Sequence, residues 1–449
     1  MFDSIKNIFK IRDLRRKVYV TLALLVVYRI GCFVPTPGVD TFALSQFFAK
    51  MQGQTIFGMM NLFTGGALTR LSIFALGIMP YISASIIMQL LTAVVPVLEK
   101  LAKEGKAGYE KINQYTRMLT FILCVIQGLF IALWLANPAN FSQGGQRIVI
   151  VPDPNFVFII TTILTLTAGT VFVMWLGEQI QERGIGNGIS LIITTSIMSR
   201  IPSAINQLWI LWSPMDPANR TFSTPKVVVL LILWLALVAA VVLFTQAQRR
   251  IPIQYGRRVV GRKVFGGQSS YLPVKVDMSG VIAIIFASSV LTVPATLAMF
   301  FGDKFSFLQS IIHQRGVWYN LIYAGMIMFF MYFHTAMVFQ PVEIANNLKR
   351  HSGFVPGIRP GKETAKYLDY VATRIVFVGA VYICFIAVFP NIVMTVFNAP
   401  SYSLASLFGG TTLLIMVGVV LDTMRQIEGQ LLVRHYDGFM KKGTLRGRR

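Results

Sequence analysis

Ten apolar stretches, each near the length that crosses a bilayer, recur from one end of this chain to the other. Crossing ~30 Å of hydrocarbon takes about 20 residues of helix. The stretches fall at about 18–34, 72–95, 116–136, 155–177, 188–212, 226–246, 278–300, 317–340, 371–393 and 404–424. In lipid each unpaired backbone amide costs several kcal/mol, so runs of this length fold as helices packed on one another. Composition agrees, with 55% hydrophobic and only 13% charged residues in 449, against about 25% charged in soluble domains. The chain is too apolar for a soluble enzyme, and the sequence predicts an all-α integral membrane protein with ten transmembrane helices.

Orientation follows from charge. Lys6, Lys10, Arg12, Arg15, Arg16 and Lys17 precede the first stretch, which places the amino terminus in the cytoplasm. No small-residue cleavage site follows, so this helix is expected to be retained. Ten spans return the carboxy terminus to the same side, and 32 of the 41 Lys and Arg residues then lie in cytoplasmic segments or at the inner ends of spans. The expected topology is multi-pass, with both termini cytoplasmic. The loop signal at Trp212, Ser213 and Pro214 divides the chain into 1–212 and 213–449, five spans each. An odd number per half makes the halves inverted relative to one another, a topology that places a functional path along their interface. This division rests on parity, since no residue-level repeat links the halves. Cys32, Cys124 and Cys384 all fall in or beside apolar spans with no CxxC spacing, so they are read as core residues rather than disulfide or metal ligands.

The segment 61–91 joins a short glycine-broken piece, containing Gly65 and Gly66, directly to an apolar run. Irregular backbone at membrane depth is tolerated only where protein buries it or water bathes it. The segment therefore reads as a re-entrant piece capping a pore-lining helix, or as an outer loop that ends in glycines before an ordinary span.

Two cytoplasmic loops exceed the short connections around them. In 247–277, β-branched and aromatic residues flank Tyr255, Gly256 and Arg257, which suggests a protruding, strongly basic hairpin. In 341–370, the run GFVPGIRPG at 353–361 brackets Arg359 between two Pro-Gly pairs, a pattern for consecutive tight turns with the arginine at a rigid tip. Such tips either obey the positive-inside bias or dock something large, such as ribosomal RNA phosphates or an acidic groove on a motor protein.

The spans hold few ionisable groups of the kind that ion-coupled transport needs at the midplane. Arg29 lies towards the outer end of span one, Glu178 and Glu182 follow span four, Arg374 opens span nine and Asp422 closes span ten; His334 alone is well inside, where packing is its commoner role. No Ser/His/Asp pattern, HExxH pair or phosphate loop is present, and GIGNG at 184–188 reads as a tight turn into span five rather than a nucleotide fingerprint. No catalysis is expected. What the spans offer is hydroxyl and amide residues: Ser72, Ser83, Ser85 and Gln89 in span two, and Ser279, Ser288, Ser289 and Thr292 in span seven, with Pro80 and Pro294 as kink sites. They make either a seam that separates at modest cost or ordinary small-residue packing.

Four segments together carry a specific resemblance: 61–91, MWLGEQIQERGIGNGIS at 174–190, VIAIIFASS at 281–289, and GFVPGIRPG at 353–361. With them the chain resembles the SecY family, the central subunits of bacterial protein-conducting channels, over nearly its whole length. The resemblance implies two inverted five-helix halves around a central pore, closed by a ring of aliphatic side chains at Ile78, Ile82, Ile189, Ile193, Ile285 and Ile415. It implies a short re-entrant plug helix at Asn61, Leu62, Phe63, Thr64, Gly65, Gly66, Ala67, Leu68, Thr69 and Arg70. It implies a lateral gate between spans two and seven, carrying Ser83, Ser85, Gln89, Ser288, Ser289 and Thr292, through which signal sequences and transmembrane segments reach lipid. Arg257 and Arg258, near the apex of the first loop, and Arg359 in the second would dock the SecA ATPase and the ribosome, through ribosomal RNA and protein at the exit tunnel. The further partners implied are SecE, SecG, nascent polypeptides and membrane lipid, with or without an accessory insertase. No cofactor is implied, and the driving energy would come from SecA, the ribosome or the membrane potential. The competing reading, a secondary transporter for a small solute, lacks midplane carboxylates and leaves the large basic loops without a role.

Overall fold

The computed structural model describes residues 11–51, 61, 63–143, 146–147, 149–213, 223–255, 258–260, 263–265, 269–279, 281–301, 316–397 and 409–442. All ten apolar stretches overlap helices. In chain order these are α1 (Arg12–Gly31), α2 (Thr41–Met51), α3 (Met79–Val94), α4 (Pro96–Lys103), α5 (Lys106–Ala136), α6 (Phe156–Arg183) and α7 (Gly188–Met198). They continue with α8 (Ile201–Trp212), α9 (Thr224–Gln246), α10 (Ile282–Phe301), α11 (Val317–Val338), α12 (Pro341–Arg350), α13 (Lys362–Phe397) and α14 (Gly410–Lys442). Among the described residues, seven helical stretches are long and apolar enough to cross a membrane, and the bent pair α3–α4 makes an eighth. The two remaining expected spans are α1, whose first turns carry the basic cluster, and α10, where Ile282–Leu291 forms a shorter apolar helix.

Proline sets three boundaries. Pro80 was expected to kink span two, but it lies in the first turn of α3, where its missing N–H would have had no helical partner anyway. Span two as a helix is thus shorter than 72–95, because 64–78 is built of turns and one 3₁₀ turn at Leu68–Arg70. Pro96 opens α4 and holds Val95 extended (φ −92°, ψ 114°), turning the chain by 97°. Pro202 opens α8 after a break at Ser199 and Arg200 that divides span five in two.

Packing follows chain order on either side of 213–225. Before it, α3 lies on α5, α5 on α6, and α6 on α7 and α1; after it, α10 lies on α11, α11 on α13, and α13 on α14, which also meets α9. Helices from the two sides meet along two seams, α3 with α10 and α7 with α14. A clasp at one end ties the two sets further. The N–H of Ile185 donates to Thr21 Oγ1 (3.0 Å) and that of Gly186 to Gln426 Oε1 (3.0 Å), while Leu14 and Ile185 pack with Ile427 and Leu431.

Strand content is confined to loops. β1 (Ser142–Gln143) and β2 (Gln146–Arg147) form one small pair. The expected hairpin is present, with β3 (Gln248–Tyr255) antiparallel to β6 (Ser269–Lys275), from Gln248 opposite Lys275 to Gln254 opposite Ser269. β4 (Arg258–Val260) pairs with β5 (Lys263–Phe265), with Val260 opposite Lys263, so the chain turns between those two residues. The sequence reading missed β7 (Gly353–Phe354), which pairs with the end of β3 and fuses the loops 247–277 and 341–370 into one sheet of order β6-β3-β7. Ile251, Val274, Val355, Leu368 and Val371 form a small core beneath it.

Candidate functional site

The helices of the two seams carry the six isoleucines. Ile78 and Ile82 are one helical turn apart at the start of α3, and Ile189 and Ile193 are likewise one turn apart at the start of α7, so each pair presents one face. Ile285 comes from α10 and Ile415 from α14. Five of the six are buried, Ile189 half so, and all pack in a single apolar cluster that also takes in Phe63 and Ala67. The start of α7 is fixed by Asn187, whose Oδ1 accepts from the N–H groups of Ile189 and Ser190, while Gly186 turns at φ +92°. GIGNG is therefore the turn that the sequence suggested.

The segment expected as a plug helix departs from that description. Asn61 and Phe63 are helical, 64–67 are turns, and Leu68–Arg70 is 3₁₀; Leu62 lies outside the described residues. Gly65 (φ +63°) and Gly66 (φ +91°) supply left-handed turns that a helix would not need. Leu71 also takes φ +40°, an unusual conformation for a side chain of its size, and ends the 3₁₀ turn. The segment bridges two apolar cores. Phe63 and Ala67 belong to the isoleucine cluster, whereas Leu68 and Leu71 pack with Leu44, Phe47, Phe141 and Ile150 in a second cluster.

Its backbone is anchored at several points. Arg29 Nη1 donates to the carbonyl of Gly65 at 3.0 Å. The N–H of Gly66 donates to Asn61 O (3.2 Å), that of Ser72 to Ala67 O (2.9 Å), and Thr69 Oγ1 to Gly66 O (2.8 Å). Beyond the segment, Thr36 N–H donates to Leu71 O and Ile73 N–H to Val34 O, both at 2.9 Å, an antiparallel grip by the chain following α1. Close approach to α7 is enforced at Gly65, where an added Cβ would come within 3.0 Å of Ser196 Cα. On the same helices Ser196 Oγ donates to Ile192 O, so the buried hydroxyl of Tyr28 donates to Ser196 Oγ (2.7 Å) and locks α1 to α7. Sequence reasoning noted Arg29 but gave it no role; the available signal was a charge towards a span's end. Tyr28 and Ser196 left none.

On the α3–α10 seam, Ser83, Ser85 and Gln89 are half-buried on α3, and Gln89 Nε2 reaches Ser85 Oγ at 3.4 Å within that helix. Ser288 and Ser289 are buried on α10; Ser288 Oγ donates to Ile285 O, and Ser289 Oγ has no hydrogen-bond partner among the described residues. The side chain of Thr292 lies outside the described residues. In the loops, Arg359 is exposed between Gly357 (φ +81°) and Gly361 (φ +107°), with its carbonyl accepting from Thr364 Oγ1 at 2.8 Å and Ile358 anchored in the core below the sheet. Arg258 opens β4, two residues before the Val260–Lys263 pair, and Arg257 lies outside the described residues. Cys32, Cys124 and Cys384 are free thiols, the first two buried.

Similarity to known proteins decides the family. A family model described as SecY matches residues 72–424. The chain is 43% identical over 446 residues, 98% of its length and all of the relative's, to the protein translocase subunit SecY of Streptomyces scabiei. It is 45% identical over 441 residues to the SecY of Escherichia coli K12, covering 97% of this chain and 96% of that one. The chain belongs to the SecY family. The fold agrees, since a solved protein-conducting channel superposes with a TM-score of 0.61 at 17% identity, covering 92% of this chain and 91% of that one. Canine Sec61, from a ribosome–channel complex of the endoplasmic reticulum, superposes with a TM-score of 0.54 at 17% identity, covering 92% and 91%. For a SecY-family chain, the isoleucine cluster and the turn-rich segment against it are the features to which a channel function has to be fitted.

Proposed function

We propose that this protein is the central subunit of a protein-conducting channel, passing unfolded polypeptides across the membrane through the isoleucine cluster. The observation that carries the reading is that six isoleucines from the four helices of the two seams belong to one apolar core, which also takes in Phe63 and Ala67 of the turn-rich segment. Branched apolar side chains close an unoccupied constriction by dewetting, yet yield around a passing chain without holding it. The segment 61–70 acts as the plug. Its glycine turns and its 3₁₀ turn make it separable from the helices, while Phe63 and Ala67 seal it onto the ring.

In this account 1–212 and 213–449 are two inverted halves, and α3 and α10 form the lateral gate. The half-buried Ser83, Ser85 and Gln89 face a partner helix carrying Ser288 and Ser289, so opening exposes groups that water or a signal sequence can satisfy. A segment apolar enough for lipid leaves sideways, and a polar one continues through the ring. The fused sheet of the two loops holds Arg359 outward for phosphate or carboxylate contacts with the SecA ATPase or the ribosome. SecE and SecG complete the complex in the bacterial inner membrane, with both termini cytoplasmic.

The test is reconstitution with SecE and SecG in proteoliposomes, supplied with SecA, ATP and a secretory precursor. The reading expects precursor protected from added protease, lost when Ile82 and Ile285 are joined through cysteines by a short crosslinker. Undiminished protection in the crosslinked complex would contradict it.

A further inference from the structure

Beside the turn of Gly65 and Gly66 lies a cavity of about 350 Å³, walled by α1, the 3₁₀ turn and the start of α8. Three arginines line it, Arg29, Arg70 and Arg200, and no acidic side chain does so among the described residues. Arg29 and Arg70 both lie over the ring of Phe33, at 5.1 and 4.5 Å from its centroid. Their charges are thus within roughly 10 Å of one another, about a Debye length at physiological salt, where like charges still repel. Neither makes a salt bridge among the described residues. The hydroxyls of Thr69, Ser199 and Ser203 on the wall are already committed, to Gly66 O, Ser196 O and Arg200 O, so the guanidinium groups of Arg29 and Arg70 are its charged donors. Asn61, also on the wall and 6% exposed, has a buried Oδ1 with no partner among the described residues.

We infer that this cavity is an oxyanion site for a phosphate-type group. A tetrahedral oxyanion neutralises the arginine cluster through charge-assisted hydrogen bonds, and a protonated oxygen of hydrogen phosphate supplies the donor that Asn61 Oδ1 lacks. The space, equivalent to roughly ten waters, takes the ion with part of its hydration. Because Arg29 belongs to α1, Arg70 to the 3₁₀ turn and Arg200 to the start of α8, one bound anion ties the segment 61–70 to two helices. The gating consequence rests on the plug reading above, whereas the site itself does not.

The experiment is equilibrium dialysis of radiolabelled inorganic phosphate against the purified channel complex in a neutral sugar detergent. The expected result is saturable binding of one phosphate per chain, weakened at least tenfold by Arg70→Gln and by Arg29→Gln but within about threefold of wild type for Arg70→Lys, with thermal unfolding as the folding control. Added phosphatidylglycerol distinguishes the source: competition identifies a lipid headgroup as an occupant of the same site, and no competition identifies the free anion. Absence of saturable binding, or wild-type binding by both glutamine variants, overturns the proposal. Phosphate that binds without lowering the ion leak of the closed channel leaves the site standing and counts against the plug reading instead.

Discussion

Arg29 and Gly65 are joined by one hydrogen bond, from a guanidinium Nη1 to a backbone carbonyl at 3.0 Å, that fastens the turn-rich segment to α1. A hydrogen bond to a charged group contributes about 1.5–3 kcal/mol. Its loss shifts the balance between seated and displaced segment by roughly tenfold or more. Arg29→Ala is expected to raise the resting ion conductance of the reconstituted channel by that order, without blocking translocation. An unchanged conductance would mean that the backbone grip at Thr36 and Ile73 suffices.

The two adjacent glycines are not equivalent. A Cβ at Gly65 would crowd Ser196 Cα and Arg29, each at 3.0 Å, whereas one at Gly66 would meet nothing within 4 Å. Both have positive φ, so alanine costs ~1–2 kcal/mol in backbone strain at either site. Gly65→Ala is therefore expected to unseat the segment further than Gly66→Ala, read as faster labelling of a cysteine placed at Thr64. Equal labelling rates would remove the close contact with α7 from the account.

Ile193 is 1% exposed and belongs to the ring cluster. An Ile193→Asn change puts an amide where dewetting is required, so conductance at rest should rise severalfold, while Ile193→Leu should leave it near the wild-type value. Planar-bilayer recordings separate the two. Matching recordings from both variants would make this residue ordinary core.

Arg359 stands exposed on a backbone held by Thr364 and by Ile358 in the core beneath the sheet. Arg359→Glu should lower SecA-driven translocation at least tenfold with no change in melting temperature, and the wild-type interaction should weaken with salt. Leu368→Ala, which removes a fully buried side chain from the same core, is expected to cost about 2–5 kcal/mol and to loosen the tip. If Arg359→Glu also lowered the melting temperature, the loss of activity would report misfolding rather than docking.

Much of this arrangement was legible because it depends on residue type at long range. Apolar length marked the helices, Pro-Gly pairs marked the turns around Arg359, and the GIGNG run at 184–188 marked the turn that leads into α7. Features that depend on the backbone alone were hidden. The acceptor for Arg29 is a carbonyl, which every residue carries. β7 is two residues long and has no period to detect. The turns at 64–67 replaced an expected helix because two positive-φ glycines and Leu71 at φ +40° let the chain double back against α7 and the segment 34–36. Pro80 marked a helix start where its position inside an apolar run suggested a kink.

The most direct test of the central claim is to place photo-crosslinkers at Ile82 and Ile285, on opposite helices of the α3–α10 seam, and to stall a secretory precursor midway through translocation. The account predicts adducts from both positions to the mature part of the precursor. Intact translocation with only lipid or neighbouring helices labelled would mean that the isoleucine cluster is packing core and that the polypeptide crosses elsewhere.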